Sequence, residues 1–576
     1  MARSSKQLNA EMNEQILAFC RHIAGSCEIK AAYICGDCLL GVLDEKAVVE
    51  VVLVIHDYQP RLINYMKPIG NRNVSVLAVD EWVFERDVDR GFLGEALVGG
   101  LVFRYTALMN GKYLHLQEVK LKRRLTTELL ENLVINFPEF SYEFHIKPEY
   151  FMFETMLTRT RLFPPLIENL QSFMQRDNKE ENLNYALRGY LEALGELEKD
   201  GIITFSDGYV KMSMHFVDRA RSQRVRFINL FKTGQRTLFV SLLSTFPKLL
   251  SILSQNIELS RDLQRVEEDS KLAHGIEVPE NYLFVPTAGG LVPLTSKMNI
   301  EVFARKVLSA DKDVKVKVER LGGILNDVFL VKTIANGTER KIVVKRFRDW
   351  SSFKWFPLTL WSVGTRTFAV LGLPRLEKEC AINQLLYSNG FAVPKVLHVS
   401  PSERLVFSEY VEGENLDKVI KRIANSKSVS EIKKDLETVD RVGETFAKVH
   451  ALGIALGDAK PENLVVGEKG EVYLLDFEQA SRNGDHVWDV AEFLYYAGHY
   501  IPPFVEAVRA EFIAKAFIKG YLKEGGSIST IKKAGTPKYT KVFSIFTFPH
   551  LMFAISNICR KPEKIGESTW SSLKQH

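Results

Sequence analysis

The segment 450–480 contains side chains whose types and spacing could transfer a phosphoryl group. Such a transfer from ATP needs a carboxylate beside the acceptor hydroxyl, two oxygen ligands that hold Mg²⁺ against the phosphates, and a nearby cation. We expect Asp458 to position and deprotonate the acceptor hydroxyl, and Lys460 to stabilise the transferred group. Asn463 and Asp476 are the predicted ligands of Mg²⁺ or Mn²⁺. The segment therefore predicts an ATP-dependent phosphotransferase.

The same residues resemble the catalytic loop and the metal-binding aspartate of the protein-kinase-like superfamily. The sequence D-x-K-P-E-N at 458–463 is close to the form found in Ser/Thr kinases. Asp476-Phe477-Glu478 replaces D-F-G, so the easily flipping glycine is absent. Asp489 follows on a predicted helix that resembles the one whose aspartate steadies the catalytic loop, and the interval is too short for a long activation loop. The resemblance points to the compact atypical kinases, RIO-like or KEOPS-associated.

A glycine turn precedes this segment, between two alternating strands predicted at 314–319 and 328–334. Gly322 and Gly323 lack a Cβ, so their backbone amides could approach phosphates closely. The sequence GGxxN, which ends at Asn326, is similar to the phosphate loop of aminoglycoside-phosphotransferase-like kinases. This similarity implies that all three residues contact ATP.

The next elements resemble the remaining parts of a kinase ATP site. Lys345 ends an apolar strand similar to the V-A-I-K element, which implies a contact with the α- and β-phosphates. Glu379, on the following predicted helix, stands where RIO-type and KEOPS-associated kinases carry the partner of that lysine. Glu409 and Val411 lie in a segment that resembles the hinge whose backbone holds adenine.

Composition sets broad limits. The 576 residues are 46% hydrophobic and 26% charged, as in an ordinary globular protein, and the length predicts about three or four domains. A net charge of +5 neither demands nor excludes nucleic acid or anionic lipid. Six cysteines are too sparse for a disulfide framework, and the polar N-terminus differs from a signal peptide, so we expect a cytoplasmic protein.

The uncharged run 542–559 could span a membrane by length, but its Pro549 and His550 favour a buried helix pair.

The predicted fold class is multidomain α+β. We divide the chain into an α/β domain at 1–110, a helical and winged-helix-like region at 111–260, and a linker at 261–296. A two-lobed protein-kinase-like domain would follow at 297–576.

The first domain resembles the minimal nucleotidyltransferase fold. A helix is predicted at 8–23, with strands at 32–34, 48–55 and 74–79. Asp37 replaces the usual serine of that family, and Val48-Val49-Glu50 stands where metal-binding carboxylates are expected. The resemblance therefore implies a degenerate, regulatory domain.

The middle region resembles the end of a winged helix, with a helix at 187–200 and a hairpin at 203–212. The helix carries four carboxylates, which would face nucleic-acid phosphates badly, so it favours a protein partner over nucleic acid. The basic residues at 219–236 and the apolar segment 237–253 fit either a membrane-surface element or a solvated face beside a core helix.

Three functions remain open. The motif set favours an atypical Ser/Thr protein kinase, with an acceptor protein that the sequence does not identify. The GGxxN turn and the missing activation loop would also suit a small-molecule kinase of the aminoglycoside or choline type, although Lys460 argues against that lineage. A nucleotide-binding regulator without catalysis is the third reading.

Overall fold

The sequence predicts both strands and amphipathic helices along the chain. A computed structural model of the protein contains helices and strands in alternation. The structure describes residues 10–36, 48–59, 61–93, 95, 97–162, 170, 173–174, 179–221, 277–300, 302–303, 315–322, 326–335, 338–348, 371–502, 507–544 and 547–564. Two compact units result, Met1–Phe284 and Val285–His576. The multidomain α+β class is confirmed in this coarse form, and the predicted domain boundaries stay predictions.

Unit 1 combines helices with two sheets. Its described helices are α1 (Ala10–Ala24), α2 (Glu81–Arg90), α3 (Gly111–Asn136), α4 (Pro148–Leu162), α5 (Lys179–Lys199) and α6 (Met214–Ala220). Its described strands are β1 (Ile29–Cys35), β2 (Val49–Ile55), β3 (Leu62–Ile69), β4 (Arg72–Asp80), β5 (Thr106–Met109), β6 (His145–Ile146), β7 (Ile203–Ser206) and β8 (Tyr209–Met212). Strand β9 (Leu283–Thr287) begins in this unit, where its first two residues pair with β6.

The first sheet of unit 1 has the strand order β3-β4-β2-β1-β5, in which β2 and β4 are parallel. The strands predicted at 32–34, 48–55 and 74–79 are confirmed as β1, β2 and β4, and the helix predicted at 8–23 is confirmed as α1. Apolar side chains of α1, β1, β2 and β4 form one buried core. Asp37 lies outside the described residues, and the nucleotidyltransferase resemblance stays a prediction.

The winged-helix-like segment folds as a long helix followed by a hairpin. Helix α5 precedes β7 and β8, which pair through a tight turn where Asp207 and Gly208 have positive φ. These elements appear in the predicted order, whereas a winged-helix domain stays a prediction. Most of the basic run beyond Arg221, and all of the segment 237–253, lie outside the described residues.

Unit 2 joins a five-stranded sheet to a helical region. Its described strands are β10 (Gly290–Pro293), β11 (Lys315–Gly322), β12 (Asn326–Ala335), β13 (Thr338–Phe347), β14 (Val396–Ser400), β15 (Leu405–Glu409), β16 (Glu414–Asn415), β17 (Ile454–Ala455), β18 (Leu464–Val466), β19 (Val472–Leu474) and β20 (Ser481–Arg482). Its described helices are α7 (Gly372–Ser388), α8 (Leu416–Asn425), α9 (Val429–Ala451), α10 (His486–His499), α11 (Ala507–Lys523), α12 (Ile528–Ala534), α13 (Pro537–Phe543) and α14 (Pro549–Arg560).

The five-stranded sheet has the order β11-β12-β13-β15-β14, with each neighbouring pair antiparallel. Alternation along β13 sends Ile342 and Val344 into a core with β12 and β15, which leaves Lys345 on the opposite face. Two short sheets follow, with the strand orders β16-β18-β19 and β17-β20. Their strands flank the loops that connect the helices of this region.

The helical region is built around the close approach of α9 and α11. Gly443 and Gly520 allow this approach, because a Cβ on Gly520 would lie 1.8 Å from the carbonyl oxygen of Asp440. Of the buried helix pair predicted within 542–559, the structure describes one helix, α14, which buries Leu551 and Ile555, while α13 ends at Phe543 near the start of the run. Among the helices that the structure describes, none is both long and apolar enough to cross a membrane.

Candidate active site

The loop after β17 carries the predicted catalytic residues. It closes in a 3₁₀ turn, Pro461–Asn463, directly before β18. The Lys460 Nζ lies 2.7 Å from Oδ1 of Asp458, and Nδ2 of Asn463 donates to the Asp458 carbonyl oxygen at 2.8 Å. Asp458, Lys460 and Asn463 are therefore brought together. Loss of hydration opposes the Lys460 charge, yet the Asp458 and Glu492 carboxylates raise the pKa of Lys460 above its ordinary value.

Helix α10 fixes the backbone of this loop. Asp489 is fully buried and accepts from the backbone N–H of Leu456 at 2.6 Å and of Gly457 at 2.7 Å. Its Oδ2 also lies 3.1 Å from Nε2 of His450. Glu492, one turn later, accepts from the backbone N–H of Ala459 at 2.8 Å. The contact expected between Asp489 and the loop is thus present.

Asp476 follows β19 and adjoins the same loop. The backbone N–H of Leu475 donates to the Asn463 carbonyl oxygen at 2.9 Å, so the β18-β19 hairpin places Asn463 beside the residue before Asp476. Asp476 has a φ of 64°, a left-handed conformation that Asp tolerates better than most side chains. The two predicted metal ligands therefore lie at the same end of one hairpin.

Lys345 contacts three carboxylates on the face of the sheet opposite Ile342 and Val344. Its Nζ lies 2.7 Å from Asp476, 3.1 Å from Glu478 and 3.6 Å from Glu379. Burial by itself would lower the pKa of Lys345, but the three carboxylates raise it above the ordinary value. Glu379 also accepts from the backbone N–H of Phe477 at 2.7 Å, which ties helix α7 to the Asp476 segment.

The charge of this cluster suits a divalent cation. With all three carboxylates ionised, the cluster would carry one more negative charge than the cations of Lys345 and Arg375 supply. Loss of hydration and the neighbouring carboxylates outweigh Lys345 and raise the pKa of Asp476 to about 7. An added cation would favour the ionised form, and Mg²⁺ takes oxygen ligands from one or two carboxylates together with phosphates. Asp476 and Asn463 fit this requirement as protein ligands.

The turn between β11 and β12 is described in part. Gly322 ends β11 opposite Val328, at an irregularity in the register, and Gly323 lies outside the described residues. Both ends of the Asn326 side-chain amide are engaged by protein groups. Its Nδ2 donates to Glu478 at 2.5 Å, and its Oδ1 accepts from Arg375 at 2.7 Å. Contacts of these turn residues with a nucleotide stay predictions.

Glu409 ends β15, where it pairs with Ile342 of β13 and its backbone N–H donates to the Lys395 carbonyl oxygen at 3.0 Å. Val411 follows in a half-buried connection to β16. Glu409 thus lies on the strand next to β13, and Val411 lies two residues beyond its end, where the hinge was predicted. Their contact with adenine stays a prediction.

The sequence reasoning missed Arg375 and the anchoring role of Glu492. Arg375 is fully buried, and burial of an arginine usually requires a charged partner, which is here Glu478 at 2.8 Å. A signal was available, because Arg375 and Glu379 are four residues apart and therefore share one face of α7. Glu492 likewise follows Asp489 by three residues on α10.

Comparison with known proteins identifies relatives for about a quarter of the chain. No protein-family model matches it. Over 169 residues, the chain is 30% identical to a probable serine/threonine-protein kinase BUD32 homolog of Archaeoglobus fulgidus, covering 28% of this chain and 74% of the relative. The chain belongs to the BUD32 family. It is also 26% identical, over 155 residues, to the KEOPS complex subunit Bud32 of Pyrococcus abyssi, covering 26% of this chain and 64% of that subunit.

Membership of the BUD32 family confirms the predicted resemblance to KEOPS-associated, kinase-like proteins. The chain spans slightly less than two thirds of the length of the Pyrococcus relative, and each match covers less than a third of this chain. The kinase and transferase assignment is supported at this family level.

Proposed function

We propose that unit 2 is an ATP-dependent phosphotransferase, most specifically an atypical Ser/Thr protein kinase that transfers the γ-phosphate to a protein hydroxyl. One observation carries the proposal. Within one unit, Lys345 and its carboxylates lie on the sheet face while Asp476 adjoins the loop of Asp458 and Asn463 through the β18-β19 hairpin. The BUD32 relatives support the same class.

Each residue has a distinct role in this proposal. Asp458 accepts the proton of the acceptor hydroxyl and orients the hydroxyl oxygen toward the γ-phosphate. Lys460 neutralises negative charge on the transferred phosphoryl group. Asn463 and Asp476 hold Mg²⁺ or Mn²⁺, and Lys345 anchors the ATP phosphates. The metal ion, when bound, neutralises charge on the phosphates.

The wider assignments belong to the same proposal. The sheet with α7 corresponds to the first kinase lobe and the helical region to the second, with Glu409 and Val411 at the adenine-binding hinge. Unit 1 would carry the degenerate nucleotidyltransferase-like and winged-helix-like parts in a cytoplasmic protein. Because one relative is named as a subunit of a complex, we propose that the chain also binds a protein partner.

Incubation with γ-labelled ATP and Mg²⁺ or Mn²⁺ tests the proposal. Wild-type protein should label itself or a generic protein acceptor, and Asp458→Asn should abolish labelling while nucleotide affinity stays nearly unchanged. Asp417→Asn, at a half-buried aspartate paired with the exposed Lys421 outside the proposed site, is the control and should retain labelling. Turnover retained by Asp458→Asn would refute the role assigned to Asp458.

A small-molecule kinase is the second candidate. The short connection from Asp476 to α10, which contains only the two-residue strand β20, leaves no long segment for docking a peptide acceptor. A screen of amino-alcohol and aminoglycoside acceptors separates the two functions. ATP consumption that depends on such an acceptor, without protein labelling, would favour this candidate.

A further inference from the structure

Glu478 occupies the place of the glycine in D-F-G, and its carboxylate is fully engaged by protein groups. The residue is 3% exposed. One oxygen accepts from Nη2 of Arg375 at 2.8 Å, and the other accepts from Nδ2 of Asn326 at 2.5 Å. The second oxygen also lies 3.1 Å from Nζ of Lys345. Both carboxylate oxygens of Glu478 thus have protein partners on other elements of the site.

Asn326, Arg375 and Glu478 form a closed set in which each side chain contacts the other two. Nη2 of Arg375 also donates to Oδ1 of Asn326 at 2.7 Å, and its Nη1 donates to the Arg348 carbonyl oxygen at 2.9 Å. Asn326 begins β12 after the glycine turn, Arg375 lies in the first turn of α7, and Glu478 follows Asp476 by two residues. The set therefore joins three separate elements of the site.

We propose that Asn326, Arg375 and Glu478 are a positioning triad that fixes the start of β12, helix α7 and the Asp476 segment relative to one another. The inference rests on the proposed nucleotide-binding function of unit 2. Hydrogen bonds to buried ions are costly to break, so the triad resists the backbone movement that a glycine at 478 would permit. The site is then assembled without a phosphorylated activation segment. Helix α7 shares in the effect, because Arg375 lies one turn before Glu379.

The triad predicts coupled effects on nucleotide affinity. Glu478→Gln and Arg375→Gln each leave a buried charge less well compensated, and each should weaken Mg²⁺·ADP binding about tenfold in calorimetric titration. The double variant removes both charges and should bind no worse than either single variant. Asn326→Ala leaves the ion pair of Arg375 and Glu478 in place, so it can be measured even if Glu478→Gln or Arg375→Gln does not fold. It should weaken Mg²⁺·ADP binding about fivefold.

The chain offers a matched control in unit 1. Glu118 is also 3% exposed and is paired with the fully buried Lys122 at 2.6 Å, so Glu118→Gln imposes a similar loss of a buried ion pair outside the proposed site. It should lower the thermal midpoint of the nucleotide-free protein and leave Mg²⁺·ADP affinity within about twofold. A purely structural triad would behave in the same way.

The outcomes separate the two proposals. Folded triad variants that bind Mg²⁺·ADP like wild type, or a double variant whose loss is the sum of the single losses, overturn the positioning triad. If wild-type protein binds Mg²⁺·ADP but transfers no label, the proposed phosphotransfer is refuted. The calorimetric titrations of the triad variants then still test the positioning triad. Wild-type protein that binds no nucleotide overturns both. Coupled loss of affinity with the control unchanged supports the triad.

Discussion

Replacement of Asp489 by Asn should loosen the catalytic loop while changing only one atom of the side chain. The Asp489 carboxylate is fully buried and accepts from the backbone N–H groups of Leu456 and Gly457, one on each oxygen. An Asn offers one oxygen and one amino group. Whichever way the amide is turned, one backbone donor faces another donor.

The cost follows from these contacts. One hydrogen bond to a charged acceptor is lost, worth about 1.5–3 kcal/mol, and one buried N–H loses its partner, which costs about 1–3 kcal/mol. These effects overlap, so we expect about 3 kcal/mol of lost local stability. In the regime where exchange follows the opening equilibrium, this corresponds to about 100-fold faster amide exchange in the loop.

Hydrogen exchange of the peptide that spans 452–460, followed by mass spectrometry on nucleotide-free protein, measures this change. Asp417→Asn is the control, because its partially exposed pair with Lys421 should contribute at most about 1 kcal/mol and lies outside the peptide. Exchange of the loop within about threefold of wild type in Asp489→Asn would show that helix α10 does not hold the loop through this carboxylate.

Two further predictions concern packing and pH. Gly520→Ala would place a Cβ 1.8 Å from the Asp440 carbonyl oxygen and should lower the free energy of unfolding by about 2–3 kcal/mol, seen as a lower thermal midpoint. Gly195→Ala, where a Cβ meets open space, should not lower it, and an unchanged midpoint for Gly520→Ala would contradict the packing described. The hydrogen bond to Glu81 at 2.7 Å raises the pKa of His56 above its ordinary 6.5, so its stabilisation is full below pH 6.5 and is lost as pH rises through the raised value. His56→Gln should therefore melt below wild type at about pH 6 and equally at about pH 9, and a gap that is constant with pH would argue against this contact.

The sequence was sufficient to locate the elements that bear the predicted chemistry. The apolar run before Lys345 predicted a strand, which is β13, and the kinase resemblance placed Glu379 on the next helix, which is α7. Strand periodicity also identified β1, β2 and β4 in unit 1. These patterns are local, because a strand or an amphipathic helix exposes its burial preference within a few turns of chain.

Contacts between distant segments could not be predicted in the same way. Asn326 and Glu478 are 152 residues apart, and their hydrogen bond depends on how β12 and the Asp476 segment meet. The family resemblance predicted a nucleotide contact for Asn326 and gave no sign that its amide also contacts Glu478 and Arg375. The partner of a buried polar side chain depends on which distant segments meet in the folded protein. The spacing of residues along the chain does not reveal which segments meet.

The attachment of the catalytic loop to helix α10 has an evolutionary consequence. Asp489 and Glu492 hold the loop by its main-chain N–H groups, which every residue except proline supplies. Side chains at 456 and 459 can therefore change without loss of these hydrogen bonds, although the φ of 78° at Gly457 still favours glycine. The shape of the loop can therefore be conserved while its sequence changes, and related chains could bind different acceptors on the same proposed catalytic scaffold.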